Sequence, residues 1–124
     1  MLKLLLDEHI SPQVAKGLRR QSSTGAIYCL ADWQEGSFLG QDDSACLRAA
    51  AAERLTLVTY DLRTIPPLLK AWAEESRSHG GVIFVDEKTI SPADIGGLVR
   101  ALGQLLEEAG RLDWTDRICF LHAG

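Results

Sequence analysis

The sequence predicts an α/β protein: a three-layer α/β/α sandwich around a mainly parallel sheet of about five strands. Three observations carry this. Short apolar runs alternate with stretches whose apolar residues recur at helical spacing. The runs are rich in Leu, Val and Ile with little polar alternation, as in strands buried on both faces. Three of them also close on acid: Leu2 to Leu6 on Asp7-Glu8, Leu55 to Tyr60 on Asp61, and Val82 to Val85 on Asp86-Glu87. A buried, unpaired charge is costly, so acids so placed belong just outside the sheet, at its carboxyl edge.

The first strand covers Leu2 to Leu6. Ser11 then caps a helix that Pro12 starts, with Val14 and Leu18 on one stripe and Arg19-Arg20-Gln21 at its end. Ser22 to Gly25 reads as a loop and Ala26 to Leu30 as the second strand. Ala31 to Gln41 is the longest irregular stretch; its Trp33 and Phe38 are either packed down or functional. Asp42-Asp43 opens a helix through Leu47 and the alanines to Ala52. Leu55 to Tyr60 is the third strand. Pro66-Pro67 starts the next helix, with Leu68, Leu69 and Trp72 inward, and His79-Gly80-Gly81 ends that segment. Val82 to Val85 is the fourth strand. Ser91-Pro92 repeats the cap, and Ile95, Leu98, Val99, Leu102, Leu105 and Leu106 form a sustained stripe closed at Gly110. Arg117 to Leu121 is a short last strand. Right-handed crossovers are expected throughout.

The 124 residues make one domain, 1–124, large enough to bury a core without staples. Cys29, Cys46 and Cys119 are odd in number and lack CxxC spacing, so they read as small buried hydrophobes rather than disulfides or a zinc site. His9, His79 and His122 lack metal-ligand spacing and read as surface or turn residues. A net charge of −4 counts against a dedicated nucleic-acid binder, though not against an enzyme that meets phosphate through metal. No basic-then-apolar leader follows Met1, and no run approaches membrane-spanning length; the expectation is a cytoplasmic protein that does not enter membranes.

In a parallel sheet the carboxyl ends of all strands share one edge with the N-termini of the following helices. Asp7, Glu8, Asp61, Asp86 and Glu87 therefore meet Asp42 and Asp43 there. Like charges gathered so repel, and coexist only with protons or a cation; oxygen donors favour Mg²⁺ or Mn²⁺. The plain alternative for each acid is a loop residue or a helix cap. Asp7 and Asp61, which end buried runs, escape it best, and Asp86-Glu87, followed by Lys88, least.

Three stretches in order carry a resemblance: Leu4 to Pro12 (LLLDEHISP), Asp43 to Ala50 (DSACLRAA) and Leu57 to Asp61 (LVTYD). Gly81 to Val85, followed by a long amphipathic helix, extends it over nearly the whole chain. Together they resemble the small PIN-like proteins of the DUF5615 family, near the toxin ribonucleases of the PIN superfamily. The resemblance implies a PIN-like fold and metal-dependent hydrolysis of phosphodiesters in RNA. It implies Asp7, Asp43 and Asp61 as catalytic residues that, with Glu8, hold Mg²⁺ or Mn²⁺. It also implies a small antitoxin partner, and it accommodates a homodimer.

Two positions depart from that pattern. Arg63 stands where the family often has another Asp; it either weakens metal binding or contacts substrate phosphate. His9 stands where a small amide is usual. One alternative function is therefore a non-catalytic PIN-like binding protein with a degraded metal site. Another is a receiver-like phosphoacceptor domain, with Asp7-Glu8 as its acidic pair and Asp61 as acceptor, although Leu121-His122-Ala123 offers no Lys-Pro after the last strand.

Overall fold

The computed structural model describes residues 2–21 and 26–123. The expected loop Ser22 to Gly25 lies outside the described residues. Among those described, β1 (Lys3–Leu6), α1 (Pro12–Gln21), β2 (Ala26–Cys29), α2 (Asp43–Ala52), β3 (Thr56–Thr59), α3 (Ile65–Glu74), β4 (Val82–Phe84), α4 (Ile95–Ala109) and β5 (Ile118–Phe120) follow in order. All neighbouring strands pair parallel, in the order β2-β1-β3-β4-β5. The architecture is the predicted α/β sandwich. None of the helices described is long and apolar enough to cross a membrane.

Alternation along each strand splits the core in two. Leu4, Leu6, Val58, Ile83 and Val85 face α1 and α4, while Leu5, Leu57, Val82 and Phe84 face α2 and α3. Gly17 lets α1 and α4 close on each other, since a Cβ there would stand 2.7 Å from a Val99 methyl. Gly81 enters β4 at φ +105°, where a side chain would also meet the Trp114 carbonyl.

One expectation fails on the last crossover. The steps β3 to β4 and β4 to β5 run in the same direction across the sheet, yet α3 and α4 lie on opposite faces. Two such crossovers have opposite hands, so they are not all right-handed. The reason is coverage. With α2 and α3 on one face, the apolar side chains of the other have only α1, and the long stripe of α4 completes that layer.

Local differences have local causes. The Ser91-Pro92 signal makes a turn rather than a helix start: Ser91 Oγ accepts from Ala93 N–H, and α4 begins later, where the Asp94 carboxylate accepts from Gly97 N–H at 2.9 Å. Trp33 is buried and stacks on Phe38 with ring centroids 5.1 Å apart, so the long irregular stretch is packed down. Its turn, Trp33–Gly36, carries Gln34 and Glu35 at φ 53° and 59°, a left-handed conformation that side chains rarely adopt.

Candidate active site

The chain steps from β1 outward to β2, then returns across β1 to β3 on its other side. Strand order reverses at this point, and the crevice outside the carboxyl ends of the two strands is where such sheets bind ligands. Asp7 follows β1 and Asp61 lies just past β3. Asp42 caps α2, its carboxylate accepting from Ala45 N–H at 2.7 Å, which sets Asp43 in the first helical turn facing the same edge.

Asp7 is only 8% exposed, and each of its carboxylate oxygens has a donor. Oδ1 accepts from Glu8 N–H at 2.8 Å, and Oδ2 accepts from the Thr59 hydroxyl at 2.6 Å. The same hydroxyl oxygen accepts from Asp61 N–H at 3.0 Å, so one buried side chain ties both strand-end acids together. Asp61 Oδ1 accepts from the backbone N–H groups of Arg63 and Thr64, at 2.9 and 2.8 Å. This turn leads into α3, whose Pro66 and Pro67 place no N–H in the first turn.

The electrostatics divide the acids into two kinds. Burial pushes the Asp43 carboxyl up to about 6; the hydrogen-bonded Asp61 carboxylate adds to that, and the charges of Asp61, Asp7 and Glu8 add further. Asp61 moves the other way. Burial opposes its charge, but the Thr64 and Arg63 N–H groups and the hydrogen bond with Asp43 outweigh it and hold the carboxyl below its usual range. Of the two, Asp43 is the one that takes up a proton first as pH falls through about 6. Cys46, behind them, is pushed up to about 11 by burial and by the surrounding acids, so it stays a thiol.

Of the residues singled out in the sequence, Asp43 and Asp61 come near enough for their side chains to interact, and Asp7 is tied to the Asp61 backbone through Thr59. Glu8 is exposed and contributes only its field at Asp43. Asp86 turns onto its own loop, accepting from Lys88 N–H at 2.9 Å. Arg63 is exposed and forms no ion pair among the described residues; its side chain lines an open cleft of about 660 Å³ with His9, Asp61, Asp86, Glu87 and Lys88. Among the described residues, no three His, Cys, Asp or Glu side chains stand close enough together to hold one ion. In donor type and charge, however, the seam suits a hard divalent cation: carboxylate oxygens lie along one crevice, and their neighbouring charges add to the raised proton affinity of Asp43.

Two residues escaped the sequence reading. Thr59 bridges the acids, and its signal was a hydroxyl at the last position of a strand otherwise buried on both faces. His79 is buried rather than superficial: its Nδ1 accepts from Gly81 N–H at 3.0 Å, and burial lowers its pKa against the pull of Asp116. No sequence pattern marks it, because its partners are a turn amide and a residue 37 positions away. Compared with protein-family models, with curated proteins and with solved structures, the chain matches none significantly.

Proposed function

We propose that this protein is a PIN-like, divalent-metal-dependent ribonuclease whose site is the seam between β1 and β3. One observation carries the reading: Asp43 and Asp61 meet at the switch-point crevice with Asp7 held behind them by Thr59, and burial together with the neighbouring acids raises the proton affinity of Asp43. Asp7, Asp43 and Asp61 would hold Mg²⁺ or Mn²⁺ only after drawing closer than they stand in this structure, with Glu8 adding negative potential from the rim. When bound, the cation supplies Lewis-acid polarisation of a phosphate and a more acidic water. The chain's own residues do the rest. Backbone N–H groups fix Asp61, Thr59 fixes Asp7, and Arg63 and Lys88 in the cleft pair with the phosphates of a bound RNA strand. The same reading carries a cytoplasmic location and a small antitoxin protein as partner.

The test is a thermal melt with and without Mn²⁺, beside an RNA cleavage assay. At a hundredfold excess over Kd a ligand adds about 2.7 kcal/mol, on the order of 10 °C for a domain of this size. Asp61→Asn is expected to abolish both the shift and metal-dependent cleavage. Arg63→Ala is expected to keep the shift and weaken RNA binding. A wild type indifferent to Mn²⁺ would favour the non-catalytic binding protein.

A second reading has one observation of its own. The order β2-β1-β3-β4-β5 is that of flavodoxin-like and receiver domains, with Asp61 placed after β3 as a phosphoacceptor would be. Against it, α4 lies on the α1 face, and β5 ends in Leu121-His122 with no lysine. Acetyl phosphate with Mg²⁺, followed by intact mass, separates the two: a phosphate added to Asp61 supports the receiver.

A further inference from the structure

The amino ends of β4 and β5 meet at a buried imidazole that the proposed site does not use. His79 is 7% exposed and is tied twice to Asp116. His79 N–H donates to Asp116 Oδ1 at 3.0 Å, and Asp116 N–H donates to the His79 carbonyl at 3.0 Å. Ser78 Oγ donates to the other carboxylate oxygen at 3.0 Å, and Asp116 makes these bonds from a left-handed backbone at φ 58°. His79 Nδ1 accepts from Gly81 N–H at 3.0 Å, so the neutral ring carries its proton on Nε2. Nε2 stands 3.8 Å from Asp116 Oδ1, beyond hydrogen-bond reach, and the residue lines an open cleft of about 420 Å³. Both strands start from this knot. The Gly81 carbonyl accepts from Leu57 N–H of β3 at 3.1 Å, and the Arg117 carbonyl accepts from Val82 N–H at 2.9 Å.

We infer that His79 is an acid-sensitive catch: a proton taken from water onto Nδ1 breaks its bond to Gly81 and releases β5, with the entry to β4, from the sheet. A protonated Nδ1 faces Gly81 N–H donor to donor, where only a lone pair fits. The imidazolium is also buried as a charge, and turning toward Asp116 and the open cleft relieves both conflicts. β5 is the strand with least to hold it. It has one neighbour among the described residues, and Ile118 and Phe120 are half exposed. Of the charged groups on the surrounding elements, Asp116 is the one that acts on the ring. Arg77, after α3, lines the same cleft but lies 4.2 Å over the Trp72 ring and pairs with Glu75 at 3.5 Å. Arg54, before β3, and Arg117, before β5, act instead on Asp113. Burial keeps the His79 pKa below its ordinary 6.5 against the pull of Asp116, so the closed form disfavours the proton that the released form takes up. The catch therefore holds fully above pH 6.5 and weakens as pH falls below it.

This inference stands apart from the metal reading, because the acid seam lies at the opposite, carboxyl edge of the sheet. Hydrogen exchange of the full chain, corrected for intrinsic rates and followed from neutral to mildly acid pH, tests it. Opening at Val82 and Leu121 N–H is expected to rise by up to about tenfold per pH unit below 6.5, and to outrun opening at Leu30 N–H, which bonds the Leu6 carbonyl. His79→Gln, whose amide oxygen can accept from Gly81 N–H but takes up no proton, is expected to lose that rise. Nitrogen NMR of the wild type, which depends on no variant folding, is expected to show Nδ1 bare and Nε2 protonated at neutral pH. A flat profile in the wild type, equal exchange at all three amides in acid, a rise that persists in His79→Gln, or a proton on Nδ1 at neutral pH overturns the proposal.

Discussion

The seam between β1 and β3 and the margin at β5 belong to one sheet but solve opposite problems. At the seam the strands are covered on both faces: Leu4, Leu5, Leu6 and Val58 are wholly buried, and polar groups survive only by pairing, as Asp7 does with Thr59. At the margin β5 has no second neighbour among the described residues, and large apolar side chains stand half in solvent. The difference traces to one helix. Because α4 covers the α1 face, the seam is sealed from both sides and its carboxylates sit where burial strengthens their interactions. The price is an open α3 face at β5. The comparison teaches that one topological choice can both concentrate charge in a site and leave apolar side chains exposed elsewhere.

The largest break in this contrast comes from cutting the same kind of side chain in both places. Leu6→Ala removes a fully buried leucine directly before Asp7 and is expected to cost about 3 kcal/mol. In a domain of this size that lowers Tm by on the order of 10 °C. Phe120→Ala removes a larger side chain but one already half wet, and should cost about 1 kcal/mol in dilute solution. Urea unfolding at low concentration checks both. Equal losses at the two positions would mean that the margin is as well covered as the seam.

Thr59→Val sharpens the comparison within the seam itself. The shape is nearly kept, while Asp7 Oδ2 loses its donor and Asp61 N–H its acceptor. A buried carboxylate so deprived should cost about 2 kcal/mol. On the metal reading, saturating Mn²⁺ re-pairs that carboxylate, so the variant should gain more from Mn²⁺ than the wild type does. A smaller gain would show that Thr59 orients the acids for the ion rather than merely satisfying Asp7.

The same contrast explains which parts of the structure were legible in the sequence. The strands of the seam announce themselves because double-sided burial leaves nearly unbroken apolar runs, and their ends are fixed by the first charge that cannot enter. Asp42 and Asp43 were legible because capping is local chemistry. The site followed from topology, since a parallel sheet delivers those ends to one edge. What was not legible depends on choices between distant segments. The face taken by α4 is set by which layer still lacked cover, and no pattern within Ile95 to Ala109 encodes it. The start of α4 is ambiguous in the sequence because Ser91-Pro92 and Asp94 are both sound caps, and only the packed geometry selects the second. Thr59 is legible as the end of a strand, but its bridging role is not, since its bond spans 52 positions to Asp7.

The smallest expected effect is the most specific to the seam. Asp43 has its carboxyl raised from the usual 3.8 to about 6 in the folded chain. A raised acid binds its proton more tightly folded than unfolded, so its contribution is fully present below pH 3.8 and is lost as pH rises through about 6. Above that, the metal-free protein holds Asp43 charged against Asp61, Asp7 and Glu8. The full linkage of such a shift is roughly 3 kcal/mol, and solvent screening at this partly exposed rim reduces it to about 1 kcal/mol. Asp43→Asn, which keeps the shape and cannot ionise, is therefore expected to be about 1 kcal/mol more stable than wild type at pH 8 without metal, and to lose that advantage below pH 4. With Mn²⁺ the order should reverse, because the wild type gains an ion and the variant does not. Denaturation at the two pH values, with chelator and with Mn²⁺, decides it. A variant less stable than wild type at pH 8 without metal would mean that Asp43 is held by attraction rather than repulsion, and a cation-binding seam would lose its electrostatic ground.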